Sequence, residues 1–287
     1  MARKRRARTR ACRTTPSQAD LADRHALYER AVLPPDGAHA ALARIFRSLR
    51  GRAPRVLRED FCGTARLCRT WCQGARDRRA IGVDMDGATL AVARRRNLAP
   101  FAAELGDRMQ LVRADVLEVL PGRLDPADLI VALNFSFCVF RQRDRLRRYL
   151  ANALGGLARD GVLILELFGG SAAMDRGEER HDLGDVTYRW EQASFDPLTN
   201  DIVCHIHFEF PDGSKLRRAF TYHWRLWSVP ELRDLLLEVG FADVRTYWEA
   251  TDADTRGDGL LHGSGRYEPR EAAEQQDCWL VYVVALR

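Results

Sequence analysis

Residues 57–65 read LREDFCGTA, and this stretch carries the strongest indication of the fold. It closes a short apolar run at 55–59, passes through small residues around Gly63, and continues into a helix-like segment at about 64–74. A strand that leads through a tight turn into a helix is typical of an α/β domain with a parallel sheet. Such domains bind ligands at the edge formed by the carboxyl ends of the strands, so this turn is a candidate binding element.

Outward from this stretch, apolar runs alternate with helix-like segments. Further runs lie at 80–84, 109–113, 128–133 and 161–168, with helical patterns at about 87–104 and 141–157. Beyond residue 170 there are strand-like segments at 186–196, 201–210 and 215–227, a helix at 229–239, a strand at 241–249, a long polar loop, and a strand at 278–286. Strands that alternate with helices pair in parallel through crossover helices. We therefore predict an α/β fold: a doubly wound, mostly parallel seven-stranded sheet with helices on both faces and an antiparallel β insertion after the fifth strand.

Three parts are expected along the chain. Residues 1–18 form a disordered basic tail, residues 19–53 a helical lid broken by the turn at 34–37, and residues 54–287 the main domain, with its β insertion at about 171–228. With 46% hydrophobic residues among 287, the chain can bury a large core, and global disorder is excluded.

The charge distribution argues against a nucleic-acid partner. The formal charge is +5, but the first thirteen residues hold seven Arg or Lys side chains and no acid, which leaves 38 basic against 40 acidic residues in the body. Phosphate backbones attract broad basic faces, which a near-neutral body does not offer. The basic tail keeps RNA binding open as an alternative.

The cysteine pattern and the hydropathy suggest a cytoplasmic protein. Seven cysteines form no CxxC pair, as expected for reduced thiols, and no apolar run approaches the ~18 residues of a membrane span. The run Cys204-His205-Ile206-His207 resembles a metal-binding pattern, but strand alternation puts Cys204 on the face opposite the two histidines. We predict no metal site and a soluble chain; its oligomeric state is left open.

The segment Pro211-Asp212-Gly213 predicts a hairpin turn with a defined register. Pro at the second turn position and Gly at the fourth suit a type I turn with a Gly bulge, so that Phe210 faces Ser214. Counting outward pairs Phe208 with Leu216, Cys204 with Phe220, Ile202 with Tyr222, and Glu209 with Lys215. This register puts His205 and His207 on a solvated polar face together with Arg217.

The turn after the first strand does not suit a dinucleotide. A pyrophosphate site needs G-x-G-x-x-G so that the backbone can approach the phosphates, and only Gly63 is present here. An acid at the strand end suits a ligand that carries an ammonium group instead. Further acids follow at later predicted strand ends, Asp84 in IGVDMD and Asp115 in VRADV, and Asn134-Phe135 follows the fourth strand.

In this order of features the sequence resembles class I, Rossmann-like S-adenosylmethionine-dependent methyltransferases of the small-molecule type. Their first motif, acid-x-Gly-x-Gly-x-Gly, is here Glu59-Asp60-Phe61-Cys62-Gly63-Thr64-Ala65, with the acid and the middle glycine kept and the outer glycines replaced. The resemblance spans residues 54–168 well and the C-terminal helix and two strands loosely. It implies S-adenosylmethionine as cofactor.

The resemblance also implies residue roles. Asp84 would accept hydrogen bonds from both ribose hydroxyls and Asp115 from the adenine amine, while Val116 or Met85 packs against adenine. A cation gains ~0.5–2 kcal/mol over an aromatic ring, so Phe61 and Tyr28 are candidates to face the sulfonium. The cofactor-binding candidates are Tyr28, Glu59, Phe61, Cys62, Gly63, Asp84, Met85, Asp115, Val116, Asn134 and Phe135.

The expected reaction is methyl transfer to a small-molecule acceptor, with an amine as the first choice. Proximity supplies much of the rate in such a displacement, so no dedicated base is required, and Asn134, Tyr222 and His223 are the candidate catalytic residues. The acceptor pocket is expected between the Asn134 loop and the inserted strands, which carry Tyr188, Trp190, Tyr222, His223, Trp224 and Trp227. The alternatives are an RNA methyltransferase that uses the basic tail and a non-catalytic protein that binds the cofactor.

Overall fold

The computed structural model of the chain describes residues 15–32, 37–252 and 262–287. Most of the predicted basic tail therefore lies outside the described residues, as does most of the predicted turn at 34–37. The end of the tail is ordered against the insertion, because the backbone N–H of Gln18 donates to Asp212 at 2.8 Å.

The strands form two sheets. The first five run parallel: β1 (Val56–Asp60), β2 (Arg79–Asp84), β3 (Met109–Arg113), β4 (Ala127–Ala132) and β5 (Leu157–Gly169). The insertion contributes β6 (Gly177–Asp182), β7 (Thr187–Asp196), β8 (Asp201–Glu209) and β9 (Lys215–Arg225), which form an antiparallel sheet in that order. The last strands are β10 (Asp243–Asp252), β11 (His262–Pro269) and β12 (Trp279–Leu286). The main sheet has the order β11-β10-β12-β5-β4-β1-β2-β3, with β10, β11 and β12 antiparallel to their neighbours.

This architecture confirms the predicted fold class, with two added strands. β11 falls in a segment that was predicted to be loop, so the main sheet has eight strands in the described part of the chain rather than seven. β6 was also missed, because its sequence GEERHD has no apolar alternation. Both are edge strands, and an edge strand needs little apolar surface to pair.

Helices cover both faces of the main sheet. Those before β1 are α1 (Gln18–Leu21), α2 (Arg24–Ala31) and α3 (Ala38–Arg50); later ones are α4 (Arg66–Gln73), α5 (Gly87–Ala93), α6 (Ala102–Leu105), α7 (Arg143–Gly156) and α8 (Val229–Val239). Phe46 and Trp71 are fully buried on the face covered by α3, α4 and α5. Tyr149 and Leu232 are buried on the opposite face, beneath α7 and α8. No helix in the described residues is long and apolar enough to cross a bilayer.

The sequence explains where α8 begins and ends. Ser228 and Glu231 form a reciprocal capping box at its start, and Gly240 adopts a φ of +111° after its end. By contrast, the segment predicted as helix-like at about 87–104 is helical throughout but is not one regular α-helix. The structure breaks it into α5, a π turn at Arg94–Leu98, a short 3₁₀ turn and α6, since Pro100 has no N–H to donate.

The hairpin register is confirmed near the turn and wrong further out. Phe210 N–H donates to Ser214, and β8 pairs Phe208 with Leu216 and Glu209 with Lys215, as predicted. A bulge then shifts the register by two residues, so Cys204 pairs with Tyr222 instead of Phe220, and Ile202 with Trp224 instead of Tyr222. Arg218, at the bulge, has a φ of +49°. The residue types of β9 give no indication of this bulge.

The predicted solvated face around His205 and His207 is also wrong. The two side chains do point away from the apolar face, but they are only 5% and 3% exposed. His207 Nε2 lies 2.7 Å from Glu191, and His207 Nδ1 accepts the N–H of Arg218 at 3.1 Å. His205 Nδ1 is 2.9 Å from the hydroxyl of Thr221. Neighbouring polar side chains therefore cover and satisfy both rings.

Candidate functional site

The turn after β1 keeps a glycine-type backbone although two of its glycine positions are occupied by other residues. Phe61, Gly63 and Ala65 have φ values of +60°, +54° and +55°. Side chains with a Cβ are strained in this region by about 1–2 kcal/mol per residue. The chain therefore maintains, at all three alternate positions, the backbone that an acid-x-Gly-x-Gly-x-Gly turn would adopt.

Gly63 leaves open space at the centre of this turn. A Cβ built on Gly63 would have no heavy atom within 4 Å. A ligand can therefore approach the backbone here without meeting a side chain. The structure thus offers the close approach to backbone that a small-molecule binding turn requires.

Glu59 presents a buried carboxyl group beside the turn. It is 8% exposed and accepts a hydrogen bond from the thiol of Cys68 at 3.0 Å. Burial raises the pKa of Glu59 to about 8, and the nearby carboxylates of Asp84 and Asp60 add to this effect. Asp60 is neutralised on the opposite face, where Arg58 donates to it at 2.8 and 2.9 Å. Glu59 has no such cation among the described residues, so a positively charged ligand group would complete its environment.

Asp84 connects the end of β2 to the same turn. Its Oδ2 accepts the backbone N–H of Gly63 at 2.9 Å, and its Oδ1 accepts the N–H of Asp86 at 2.8 Å. Burial raises the pKa of Asp84, while these two hydrogen bonds oppose that shift. Asp86 acts differently, because it caps α5 through Ala88 N–H. The carboxylate of Asp84 is thus oriented at the sheet edge rather than used as a helix cap.

Asp115 follows β3 at the same edge. One of its oxygens accepts the N–H of Leu117 at 2.9 Å, which fixes the side chain at the start of a 3₁₀ turn. Val116 is buried at 3% exposure, whereas Met85 is 67% exposed after β2. A planar apolar group between these strand ends would therefore cover Met85.

The loop after β4 is strained and anchored from β5. Asn134 and Phe135 have φ values of +50° and +57°. The N–H of Asn134 donates to Glu166 Oε2 at 2.5 Å. Burial raises the pKa of Glu166 to about 7. Glu166 was not predicted from the sequence, because its position inside an apolar strand gives no sign of this contact.

A cavity of about 330 Å³ lies between this loop and the inserted sheet, at the position predicted for an acceptor pocket. We call it the acceptor cavity, after that prediction. Its described lining residues are Tyr28, Ala31, Val32, Asn134, Phe135, Phe168, Glu179, His181, Tyr188, Trp190, Ile206, Tyr222, Trp224, Cys278 and Leu280. Glu179 and His181 were not predicted here, because no strand was expected at β6; Cys278 was predicted as the first residue of the last strand and was not assigned to the site.

The aromatic wall of the acceptor cavity is continuous. Phe168 packs on Phe135 with ring centroids 4.6 Å apart, and Phe135 meets Trp224 at 6.0 Å. Tyr222 stacks on Trp224 at 4.4 Å, and Trp190 lies 6.0 Å from Trp224. The rings meet at different tilts, from the stacked Tyr222–Trp224 pair to the edge-on Phe135–Trp224 pair, so the wall offers aromatic faces and edges that suit a ring-shaped ligand.

Helix α2 closes the cavity from the side of the turn. Its Tyr28 lines the cavity together with Tyr222, and burial raises the pKa of Tyr28 to about 12. Glu29 ties the helix to the turn, because Asn97 donates to both Glu29 Oε1 (3.0 Å) and the carbonyl of Thr64 (2.9 Å). The expected lid therefore contacts both the turn and the acceptor cavity.

Several predicted residues lie elsewhere. His223 is exposed and lines a separate groove with Arg225, so the structure does not bring it to the acceptor cavity. Trp227 is buried and donates to the carbonyl of Phe140.

Phe61, in the turn after β1, packs against Phe140 and Tyr149, with ring centroids 5.9 and 5.8 Å apart. Cys62 is buried, and its Sγ lies 2.9 Å from where a Cβ on Gly82 would sit. In the described residues, no three His, Cys, Asp or Glu side chains are grouped to hold a metal ion.

Comparisons with curated proteins find relatives for about half of the chain. No family model matches the chain. It is 29% identical over 144 residues to a glycine/sarcosine N-methyltransferase from Aphanothece halophytica, covering 48% of this chain and 51% of the relative. It is 31% identical over 141 residues to the enzyme of the same name from Halorhodospira halochloris, covering 47% and 49%. The chain thus spans about half the length of the curated relatives it matches.

Solved structures match over nearly the whole chain. A S-adenosylmethionine-dependent methyltransferase from Clostridium acetobutylicum has a TM-score of 0.62 at 15% identity, covering 91% of this chain and 96% of that one. An amino pentose methyltransferase from Micromonospora echinaspora, with S-adenosylmethionine bound, has a TM-score of 0.62 at 17% identity over 92% and 95%. A sugar N-methyltransferase from Streptoalloteichus has a TM-score of 0.61 at 15% identity over 99% of both chains. The chain therefore has the Rossmann-like fold of class I S-adenosylmethionine-dependent methyltransferases.

Proposed function

We propose that this protein transfers a methyl group from S-adenosylmethionine to a nitrogen atom of a small molecule. The observation that carries the proposal is the arrangement around the turn at 61–65, whose alternate residues have positive φ values. Acids stand at the ends of three adjacent strands beside this turn, and an aromatic cavity lies at the same edge of the sheet. The relatives are named for N-methylation of glycine and sarcosine, which supports an amine acceptor.

The residues present fit the cofactor. Asp84 and Asp115 offer acceptors for the ribose hydroxyls and the adenine amine, with Val116 and Met85 as apolar neighbours of the base. Glu59 offers a carboxylate for the ammonium group, and such a pairing would lower its pKa from about 8. The open space at Gly63 admits the ligand next to the backbone.

The chemistry asks the chain mainly to position its substrates. S-adenosylmethionine supplies a methyl group already activated by a sulfonium. Tyr28 offers its ring to positive charge from the side of α2. Asn134 and Phe135, held by Glu166, define the boundary between the sheet edge and the acceptor cavity. Burial raises the pKa of Tyr222 well above its ordinary value, which favours a neutral phenol that can form a hydrogen bond with the acceptor.

Two measurements test the proposal. Calorimetry should give saturable binding of S-adenosylmethionine, and labelled methyl transfer should be found with at least one member of an amine panel. Binding without transfer to any amine, thiol or phenol would identify a non-catalytic binder instead. Absence of binding would overturn the proposal as a whole. Deleting residues 1–13 should leave amine methylation unchanged, whereas an RNA methyltransferase that depends on the basic tail would lose activity on RNA.

A further inference from the structure

The acceptor cavity has an unusual balance of charge for a site that would take an amino acid. Among its described lining residues, there is no arginine or lysine, and Glu179 supplies the formal charge. His181 Nε2 lies 3.6 Å from Glu179 Oε2 at the same rim. A carboxylate that entered this cavity would lose its hydration, would meet no Arg or Lys among the described lining residues, and would be repelled by Glu179.

Strand alternation explains why the arginines of β6 and β7 lie outside the acceptor cavity. On β7, Tyr188 and Trp190 line the cavity, while Arg189 between them pairs with Glu178 at 2.5 Å. On β6, Glu179 and His181 line it, while Arg180 between them lies 3.5 Å from Glu209. Both arginines are therefore on the outer face of the inserted sheet, held there by acids.

The size of the cavity points in the same direction. A volume of about 330 Å³ is at the lower end of small-molecule sites. Glycine, with its few heavy atoms, would leave most of this space and most of the aromatic wall uncovered. A ring-sized body would cover the wall formed by Phe135, Trp224 and Tyr222.

We propose that the acceptor is an amine without a carboxylate group, carried on a ring-shaped apolar body, and that Glu179 favours positively charged ligands at the cavity mouth. This deepens the proposed function and rests on it for the identity of the cavity as the acceptor site. The proposed substrate differs from glycine and sarcosine, the amino acids for which the relatives of this chain are named.

Matched probes test the inference by binding alone. Tyramine, tyrosinamide and tyrosine share one ring and one amine, and only tyrosine carries a carboxylate. Binding can be followed by quenching of the protein's tryptophan fluorescence, because Trp190 and Trp224 line the cavity, with S-adenosylhomocysteine present so that no turnover occurs. Tyramine and tyrosinamide should bind with Kd values at least tenfold below that of tyrosine. Equal affinity for tyrosine and tyrosinamide, or no binding of tyramine at millimolar concentration, would overturn the inference.

A pair of variants tests the role of Glu179. Glu179→Gln should weaken tyramine binding and narrow the ratio of tyrosine to tyramine Kd at least threefold. Glu178→Gln is the matched control, because Glu178 precedes Glu179 on β6 and pairs with Arg189 on the outer face. An unchanged ratio in Glu179→Gln, or an equal change in both variants, would contradict the assignment.

The two proposals fail in different ways. Methyl transfer to tyrosine but not to tyramine would overturn the substrate class and leave the proposed function standing. Selective binding of tyramine without transfer to any amine would overturn the proposed function and support the ligand class of the cavity.

Discussion

The carboxylate of Asp84 accepts the backbone N–H of Gly63, with 2.9 Å between Oδ2 and N. The acid at the end of β2 and the turn after β1 are therefore one hydrogen-bonded unit. Because β2 pairs with β1 on one side and with β3 on the other, this unit lies between the strand that ends near Glu59 and the 3₁₀ turn that Asp115 caps.

Replacing Asp84 with alanine should weaken S-adenosylmethionine binding at least tenfold, about 1.4 kcal/mol, because the ribose hydroxyls would lose a charged acceptor. Asp84→Asn should lose less, since an amide oxygen can still accept the N–H of Gly63. Asp86→Ala is the control: it removes the cap of α5 and should lower stability by about 1 kcal/mol with little change in cofactor affinity. Calorimetry measures all three, and an unaltered Kd in Asp84→Ala would refute the role of this acid.

Gly63→Ala separates backbone strain from ligand contact. Gly63 has a φ of +54°, and a Cβ added there would meet open space. The variant should therefore lose about 1–2 kcal/mol of stability through backbone strain, and at least tenfold in cofactor affinity because the new methyl group enters the space of the ligand. Gly51→Ala, at a φ of +69° and with the same open space beyond α3, should show a similar loss of stability and no loss of affinity. Denaturant unfolding and calorimetry distinguish these effects. Equal affinities in the two variants would remove the turn from the binding site.

Because the carboxyl group of Glu59 is buried, we expect the free energy of unfolding to depend on pH. Its pKa is about 8 in the folded protein and near the ordinary value of 4.5 in the unfolded chain. Between these values the folded state holds a proton that the unfolded state releases, so the free energy of unfolding should fall as pH rises, by up to about 1.4 kcal/mol per pH unit.

Glu59→Gln should flatten that fall between about pH 5 and 8, although Glu166, whose pKa is raised to about 7, will retain part of the slope. Saturating S-adenosylmethionine should flatten it in the unaltered protein as well, because an ammonium beside Glu59 favours the carboxylate. Chemical denaturation at several pH values provides the measurement. Superimposable curves for Glu59→Gln and the unaltered protein would contradict the burial argument.

His207→Ala should act on stability alone. Its ring contacts Glu191 and the N–H of Arg218 on the face away from the acceptor cavity, so its loss leaves buried polar groups unpaired and should lower stability by about 1–3 kcal/mol. Zinc content and methyl transfer, measured below the unfolding transition, should not change. His223→Ala, which alters an exposed ring, should affect stability by much less. Stoichiometric zinc that disappears in His207→Ala would show that His207 binds a metal ion.

The sequence predicts the parts of this protein that obey local rules. The alternation of strands and helices predicts the parallel sheet, and Ser228, Pro230 and Gly240 mark the bounds of α8 because capping is a local property. Asp84 and Asp115 could be placed at one sheet edge, since parallel strands end together. Glu59 could be placed at the same edge of the sheet for the same reason.

What the sequence does not predict depends on contacts between distant residues. Glu166 binds the N–H of Asn134 from 32 residues away, and nothing in the apolar run around it indicates that contact. Glu179 and His181 lie on a charged edge strand that has no apolar alternation. The burial of His207 depends on a two-residue bulge, because Arg218 reaches it only through the shifted register.

The attachment of α2 to the turn leads to a prediction about the lid. Glu29→Ala removes the oxygen that Asn97 bridges to the carbonyl of Thr64, so α2 should open more often and Tyr28 should leave the acceptor cavity more often. We expect hydrogen exchange of the α2 amides to accelerate about tenfold, consistent with the loss of a hydrogen bond to a charged group, worth about 1.5–3 kcal/mol at most. The KM for the amine should rise more than kcat falls, because Tyr28 contributes a wall of the cavity. Glu29→Gln keeps an oxygen acceptor for Asn97 and should restore most of the protection. Equal exchange in Glu29→Ala and the unaltered protein would show that the contact with Asn97 does not hold the lid closed.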